Sequence, residues 1–186
     1  MESELLLLFF SIIAGLGLAD LISSLHRLLR ARKYVKWHWI PVVYAYAAFQ
    51  AMINIWYSIS IDLASPLVAT SLGFFIWLIP IILLLLTMLA VLPDHQPNSP
   101  FDLFSWYIEH RRYLFTLLTL LTISISLNRS LLDEAQAYWY LPLFLTIPLA
   151  VLIFTKKYWV HAFVAILIIL FLLAGLFIQL QEFAGI

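Results

Sequence analysis

The sequence contains no cysteine among its 186 residues. This absence excludes disulfides, thiolate metal sites, cysteine-ligated iron–sulfur clusters and cysteine nucleophiles. Charged side chains make up 11% of the chain, whereas they make up about 25% of a soluble domain. The formal net charge is zero, so no strong field attracts nucleic acid, and no nucleic-acid partner is predicted.

Several motifs of membrane chemistry are also missing. No lysine lies inside an apolar run, which excludes a retinal Schiff base, and the chain has no TVGYG filter, G-x-S-x-G, H-E-x-x-H or glycine-rich phosphate loop. No two histidines have the i, i+4 spacing that places two metal ligands on one helix face. We therefore predict no catalytic residue, no metal and no cofactor; whether the protein is an enzyme stays open, and a non-enzyme is favoured. The five histidines all fall on the predicted cytoplasmic half: His26, His38, His95, His110 and His161.

Apolar residues dominate what is present. They make up 65% of the chain, and the mean hydropathy is +1.02. A membrane-spanning helix needs about 20 mostly apolar residues, so the chain has room for six such helices and little else. We predict an all-α polytopic membrane protein with one transmembrane domain over 1–186, its acidic N-terminal segment being a retained first helix. The predicted spans are 5–25, 38–58, 67–92, 113–128, 137–155 and 158–180.

The basic residues fix a predicted topology. Nine of the ten lysines and arginines lie in the first, third and fifth connections, and Arg129 alone lies on the opposite side. The positive-inside rule then predicts three helical hairpins with both termini outside, in a bacterial inner membrane or plasma membrane. Each basic connection ends with two cations and a tyrosine, which is typical of an interfacial anchor: Arg32-Lys33-Tyr34, Arg111-Arg112-Tyr113 and Lys156-Lys157-Tyr158.

Two further patterns predict local structure. Three prolines break the connection 93–112, and its segment 102–108 reads as a short helix at the membrane surface with its aromatic residues toward lipid. In the first span, small residues recur every four positions, which predicts a helix-packing face. These small residues are Ser11, Gly15, Ala19 and Ser23.

Polar residues inside the spans need partners, because lipid offers none. Asp20 is a candidate protonatable group, and the alternative is that Arg27, two turns further on, neutralises it. The second span carries Tyr46, Gln50 and Asn54 on one face, and the fourth carries a stripe of hydroxyl groups. Interhelical hydrogen bonding is one explanation of both stripes. The other is a polar path between spans 1, 2 and 4, with these predicted site residues: Asp20, Tyr46, Gln50, Asn54, Thr119, Thr122 and Ser126.

Three functions follow as hypotheses. The leading one is transport or permeation of protons, cations or a small polar solute along this path, by a protein that works alone or as a homo-oligomer. The second is a non-catalytic membrane subunit or assembly factor, which binds a partner membrane subunit through its apolar helices. The third is a membrane enzyme, or a haem-binding or lipid-binding protein, acting at the cytoplasmic face.

Overall fold

The computed structural model of the chain is built almost entirely from helices. It describes residues 2–62, 68, 70–132 and 143–184. The elements are α1 (Glu2–Arg30), β1 (Val35–Lys36), α2 (Trp39–Asp62), α3 (Ser71–Ala90), β2 (Phe101–Asp102), α4 (Leu103–Leu132), α5 (Leu143–Phe154) and α6 (Tyr158–Ala184). The all-α class predicted from the sequence is confirmed. Side chains are described for 6–56, 68, 70–131 and 143–176.

Four of the described helices are long and apolar enough to cross a membrane, namely α1, α3, α4 and α6. The α2 helix has 24 residues, but its polar Gln50 and Asn54 lower its hydropathy. The α5 helix has only 12 residues, about 18 Å of rise, which is less than the hydrocarbon thickness. Part of the fifth predicted span, 137–142, lies outside the described residues.

Helices α2 to α6 enclose a common interior, and α1 lies outside that ring. The α3 helix packs against α1, α2 and α4, while α4 also packs against α5 and α2. The α6 helix closes the ring against α2 and α5. Large side chains from the ring fill the half nearest to β1 and β2, where Tyr44, Tyr107 and Phe115 are fully buried.

The α4 helix differs from the prediction for its N-terminal part. The segment 102–108 is not a separate surface helix, because α4 runs without a break from Leu103 to Leu132, and Leu103 and Tyr107 are buried. Polar residues at 109–112 interrupt the apolar run of the sequence, but the helix continues through them because none of them is a helix breaker. Asp102 starts the helix, its Oδ1 accepting hydrogen bonds from the backbone N–H of Phe104 (2.9 Å) and Ser105 (3.1 Å).

The packing face of α1 also differs from the prediction. All four small residues of the predicted stripe are exposed in the described chain. The buried face carries Phe10, Ala14, Gly17 and Leu21 instead. Gly17 allows a close approach to α3, because a Cβ there would lie 3.1 Å from Leu85 Cδ1 and 3.1 Å from Met88 Sδ. Two large and two small residues therefore share the buried face of α1, and small size alone does not identify it.

Candidate functional site

A cavity of about 260 Å³ lies inside the ring of α2 to α6, and we call it the central cavity. Seventeen residues line it, and only Tyr44, Asn54, Thr122 and Arg129 among them are polar. Tyr44 and Asn54 are ten positions apart on α2, which corresponds to about 15 Å along the helix. The central cavity is therefore elongated and mostly apolar, with its polar groups spaced along its length.

A second concave region lies between α2 and α6, and we call it the lateral groove. It has a volume of about 310 Å³, and its polar lining consists of Tyr46, Gln50 and Asn54. Gln50 Nε2 donates a hydrogen bond to Asn54 Oδ1 over 3.1 Å. Asn54, Phe171 and Leu172 line both the lateral groove and the central cavity. The two spaces are thus neighbours that share Asn54 on α2 and two residues of α6 in their walls.

The predicted hydroxyl residues of α4 have different surroundings. Thr119 Oγ1 donates to the Phe115 carbonyl over 2.7 Å, so this hydroxyl is satisfied on its own helix. Thr122 lines the central cavity, and its Oγ1 lies 3.0 Å from Thr146 Oγ1 on α5. Ser126 is buried, and its Oγ has no hydrogen-bond partner among the described residues.

Asp20 does not line either space. It lies on α1, which packs against α2 and α3 on the outside of the ring. Its Oδ2 is enclosed and has no hydrogen-bond partner in the described part of the chain. The expected neutralisation by Arg27 is not formed as a hydrogen bond, because the Arg27 guanidinium donates to Ser23 Oγ (3.1 Å) and Ser24 Oγ (2.8 Å). The structure therefore brings Asn54 and Thr122 together and leaves Asp20 apart.

A buried hydrogen-bonded pair joins α4 to α6 at the predicted cytoplasmic end of the ring. Tyr107 Oη lies 2.7 Å from Nδ1 of His161, which has no exposed surface. His161 Nε2 lies 3.1 Å from the Thr155 carbonyl. Because a carbonyl can only accept, Nε2 carries the proton, and in the neutral ring Nδ1 accepts from the tyrosine hydroxyl. With both ring nitrogens engaged, His161 offers no free nitrogen to a metal.

The aromatic residues around this pair were missed by sequence reasoning. The Tyr44 ring stacks on the Tyr107 ring with 5.8 Å between the ring centroids, and the Phe115 ring meets both tyrosines edge-on. Tyr107 and Phe115 are eight positions apart on α4, a spacing that places them on one face. That spacing would have indicated a shared aromatic face on one continuous helix. The prediction of a separate surface helix over 102–108 hid it.

A polar contact joins the two loops at the same end. β1 and β2 pair in parallel, with Lys36 opposite Asp102, and Lys36 Nζ lies 2.9 Å from Asp102 Oδ2. The Lys36 ammonium, followed by the Ser105 and Phe104 amides, holds the pKa of the Asp102 carboxyl below its usual value. The carboxylate thus combines a helix cap with an ion pair.

No group of three or more histidines and carboxylates in the described chain could hold a metal ion. Comparison with protein-family models, curated proteins and solved structures gives no match. The class that the helices define is a helical protein compatible with several membrane crossings. Any narrower statement has to be argued from the two spaces around Asn54 and from the polar groups beside them.

Proposed function

We propose that the protein is a multi-pass membrane protein that binds and moves a small amphipathic molecule through the central cavity. The observation that carries this proposal is that the lateral groove and the central cavity lie side by side and share Asn54, Phe171 and Leu172 as lining residues. A groove between two membrane helices gives a lipid-dissolved molecule a lateral way in. The mostly apolar lining suits an alkyl or aromatic body, since ligand sites combine an apolar wall with a few placed polar groups.

The charge at one end of the central cavity supports a ligand with a polar head. Arg129 lies on the predicted outer end of α4 and lines this cavity. Ala47, Ala48 and Ala51 lie along the α2 side and leave room for an apolar tail. The head of an amphipathic anion would pair with the guanidinium, which binds carboxylate and phosphate groups in bidentate fashion.

The lining argues against simple passage of hydrated ions. A proton or cation path requires a continuous row of polar groups, and only four of the seventeen lining residues are polar. Asp20, the proposed protonatable group of the sequence-based path, lies on α1 outside the ring. We therefore favour an amphipathic solute over the protons and cations of the original hypothesis.

The test compares dodecyl phosphate efflux from proteoliposomes of three proteins. Ala51→Leu fills the central cavity, and Ala19→Leu makes the same change at an exposed position of α1. Wild type and Ala19→Leu should accelerate efflux over empty vesicles, and Ala51→Leu should remove most of that acceleration. Equal efflux from the wild type and Ala51→Leu would refute the assignment.

The ion hypothesis is tested in the same vesicles with a pH-sensitive dye. Asp20→Asn and Gln50→Leu remove the proposed protonatable and coordinating groups, respectively. A proton flux that falls in both variants would restore the path through spans 1, 2 and 4. A flux indistinguishable from the wild type, or no flux at all, would leave the amphipathic solute as the substrate class.

The proposal includes six membrane spans with both chain ends outside. Single-cysteine labelling tests this topology directly, because the chain has no cysteine of its own. A cysteine replacing Lys33 should react with an impermeant maleimide only after the cells are opened. A cysteine added at either chain end should react in intact cells, and the reverse pattern would overturn the threading.

A second candidate function is a membrane subunit that assembles with another copy or another chain. The exposed small residues of α1 favour it, since small residues let membrane helices approach closely. A cysteine at Gly15 should then form an interchain disulfide in membranes, whereas one at Phe75 on the exposed face of α3 should not. Equal cross-linking at both positions would argue against a specific interface.

A further inference from the structure

Arg111 is an exception among the anchoring residues. In the three cytoplasmic triplets the other five cations are exposed, and the three tyrosines are 50%, 55% and 50% exposed at Tyr34, Tyr113 and Tyr158. Arg111 is only 6% exposed. It lies on the buried face of α4, one turn after Tyr107 and one turn before Phe115. An anchoring role at the membrane surface does not explain this burial.

The Arg111 guanidinium is also poorly satisfied. Its Nη1 donates to the Ile108 carbonyl over 2.9 Å. Its Nε is enclosed and has no hydrogen-bond partner in the described chain. Among the described residues no carboxylate forms a salt bridge with it, and Asp102 is engaged by Lys36. A buried guanidinium has five N–H donors, and leaving such a charge unpaired costs several kcal/mol.

The surroundings of Arg111 select for an anion. His161 lies within electrostatic range of Arg111, and its ring nitrogens are occupied by Tyr107 and Thr155. Two exposed lysines, Lys156 and Lys157, follow Thr155 in the loop between α5 and α6. Glu109 is the one carboxylate in 109–112 and in the loop 155–157, and Arg112, Lys156 and Lys157 make these two segments net positive. The depth is that of the exposed Arg112–Tyr113 anchor, where lipid phosphates lie.

We propose that Arg111 is the core of an anion site at the α4–α6 junction that binds a phosphate group. The phosphate belongs either to an anionic lipid headgroup of the cytoplasmic leaflet or to free phosphate. A phosphate oxygen accepts from the Nη donors that the Ile108 carbonyl leaves free, and it neutralises the charge beside the enclosed Nε. This site is separate from the central cavity, because Arg111 is not among the cavity-lining residues.

The experiment measures binding of phosphatidylglycerol to delipidated protein in neutral detergent by native mass spectrometry. Phosphatidylcholine is the zwitterionic reference lipid, and inorganic phosphate is added separately. The matched variants are Arg111→Gln and Arg112→Gln, which remove the same charge from adjacent buried and exposed positions. Arg111→Gln should weaken the tightest phosphatidylglycerol site at least about tenfold, the equivalent of one charge-assisted hydrogen bond, and Arg112→Gln should leave it unchanged.

The two phosphate sources give different results. A lipid site is occupied by phosphatidylglycerol and is not competed by millimolar phosphate, whereas a free-phosphate site is competed. Equal loss in both variants, or no loss in Arg111→Gln, would overturn the proposal.

A measurement on the wild type covers the case in which Arg111→Gln does not fold. The Arg111 Nε–H resonance, assigned with the charge-preserving Arg111→Lys, should move on titration with phosphatidylglycerol or phosphate and not with phosphatidylcholine. A resonance that stays in place with both anions would equally overturn the proposal.

Discussion

Removal of the Tyr107 hydroxyl tests the buried bond that joins α4 to α6. Tyr107→Phe keeps the ring and its stacking but deletes the donor to His161 Nδ1 (2.7 Å). His161 has no exposed surface, so neither water nor a lipid headgroup can replace that donor. A buried acceptor left unsatisfied costs about 1–3 kcal/mol, whereas hydrogen bonds between membrane helices average about 0.6 kcal/mol. Because His161 is fully enclosed, we expect a loss of about 1.5 kcal/mol.

Tyr44→Phe is the matched control for this prediction. The Tyr44 hydroxyl is equally buried and interacts with the Tyr107 hydroxyl, but no hydrogen bond joins it to His161 in the described chain. Its removal should therefore lower the free energy of unfolding by less than Tyr107→Phe does, because His161 keeps its donor. Both variants lose one buried oxygen atom and the interaction between the two tyrosines, and only Tyr107→Phe loses the hydrogen bond to His161.

The assay is unfolding by dodecyl sulfate in mixed micelles, followed by the fluorescence of the seven tryptophans. A double-mutant cycle with His161→Phe isolates the pairwise term. A coupling energy of about 1 kcal/mol or more is expected between positions 107 and 161. If Tyr107→Phe and Tyr44→Phe lose the same stability and the coupling energy is zero, the pair does not hold α4 to α6.

Two other predictions concern the ends and the packing of the helices. Lys36 lowers the pKa of Asp102, so the stabilisation by this carboxylate is present above the unfolded-state value of about 3.9 and is lost as the pH falls through the lower folded-state value. The melting temperatures of the wild type and Asp102→Asn should therefore differ at about pH 6 and converge below about pH 3; a constant difference would contradict the pairing. Gly17→Leu should cost about 1–3 kcal/mol through overpacking against α3. Gly175→Leu should cost little in the same unfolding assay, because an added Cβ at that position would meet no atom within 4 Å.

The helical class could be read from hydropathy, because lipid-compatible segments must satisfy their backbone groups internally. Hydropathy predicted the ends of the helices less well. The α4 helix continues through Glu109–Arg112, since a helix can leave the apolar layer without ending. The small residues of α1 were predicted to pack within this chain, and they are exposed. Periodicity identifies a face of a helix, but the arrangement of the other helices decides whether that face contacts this chain, another chain or lipid.

In the candidate site, too, the sequence predicted what lies along one helix and not how the helices pack against each other. Spacing along α2 placed Tyr46, Gln50 and Asn54 on one face of the helix, and all three line the lateral groove. Spacing could not show that Asp20 lies outside the ring, because helix adjacency is a property of the bundle and not of any one helix. Arg111 was equally hidden, since its triplet matches two others whose cations are exposed.

Enclosed polar atoms without hydrogen-bond partners indicate which helix the proposed ligands contact. Of the residues in the described chain that carry such an atom, Arg111, Ser126 and Asn128 lie on α4. Each costs free energy in a low-dielectric interior unless a bound group satisfies it. Arg111 and Arg129 are eighteen positions apart on α4, about 27 Å of rise, so one ligand of cavity size cannot reach both. In our two proposals the α4 helix therefore separates two ligands: a phosphate group at its predicted cytoplasmic end and an amphipathic molecule toward its predicted outer end.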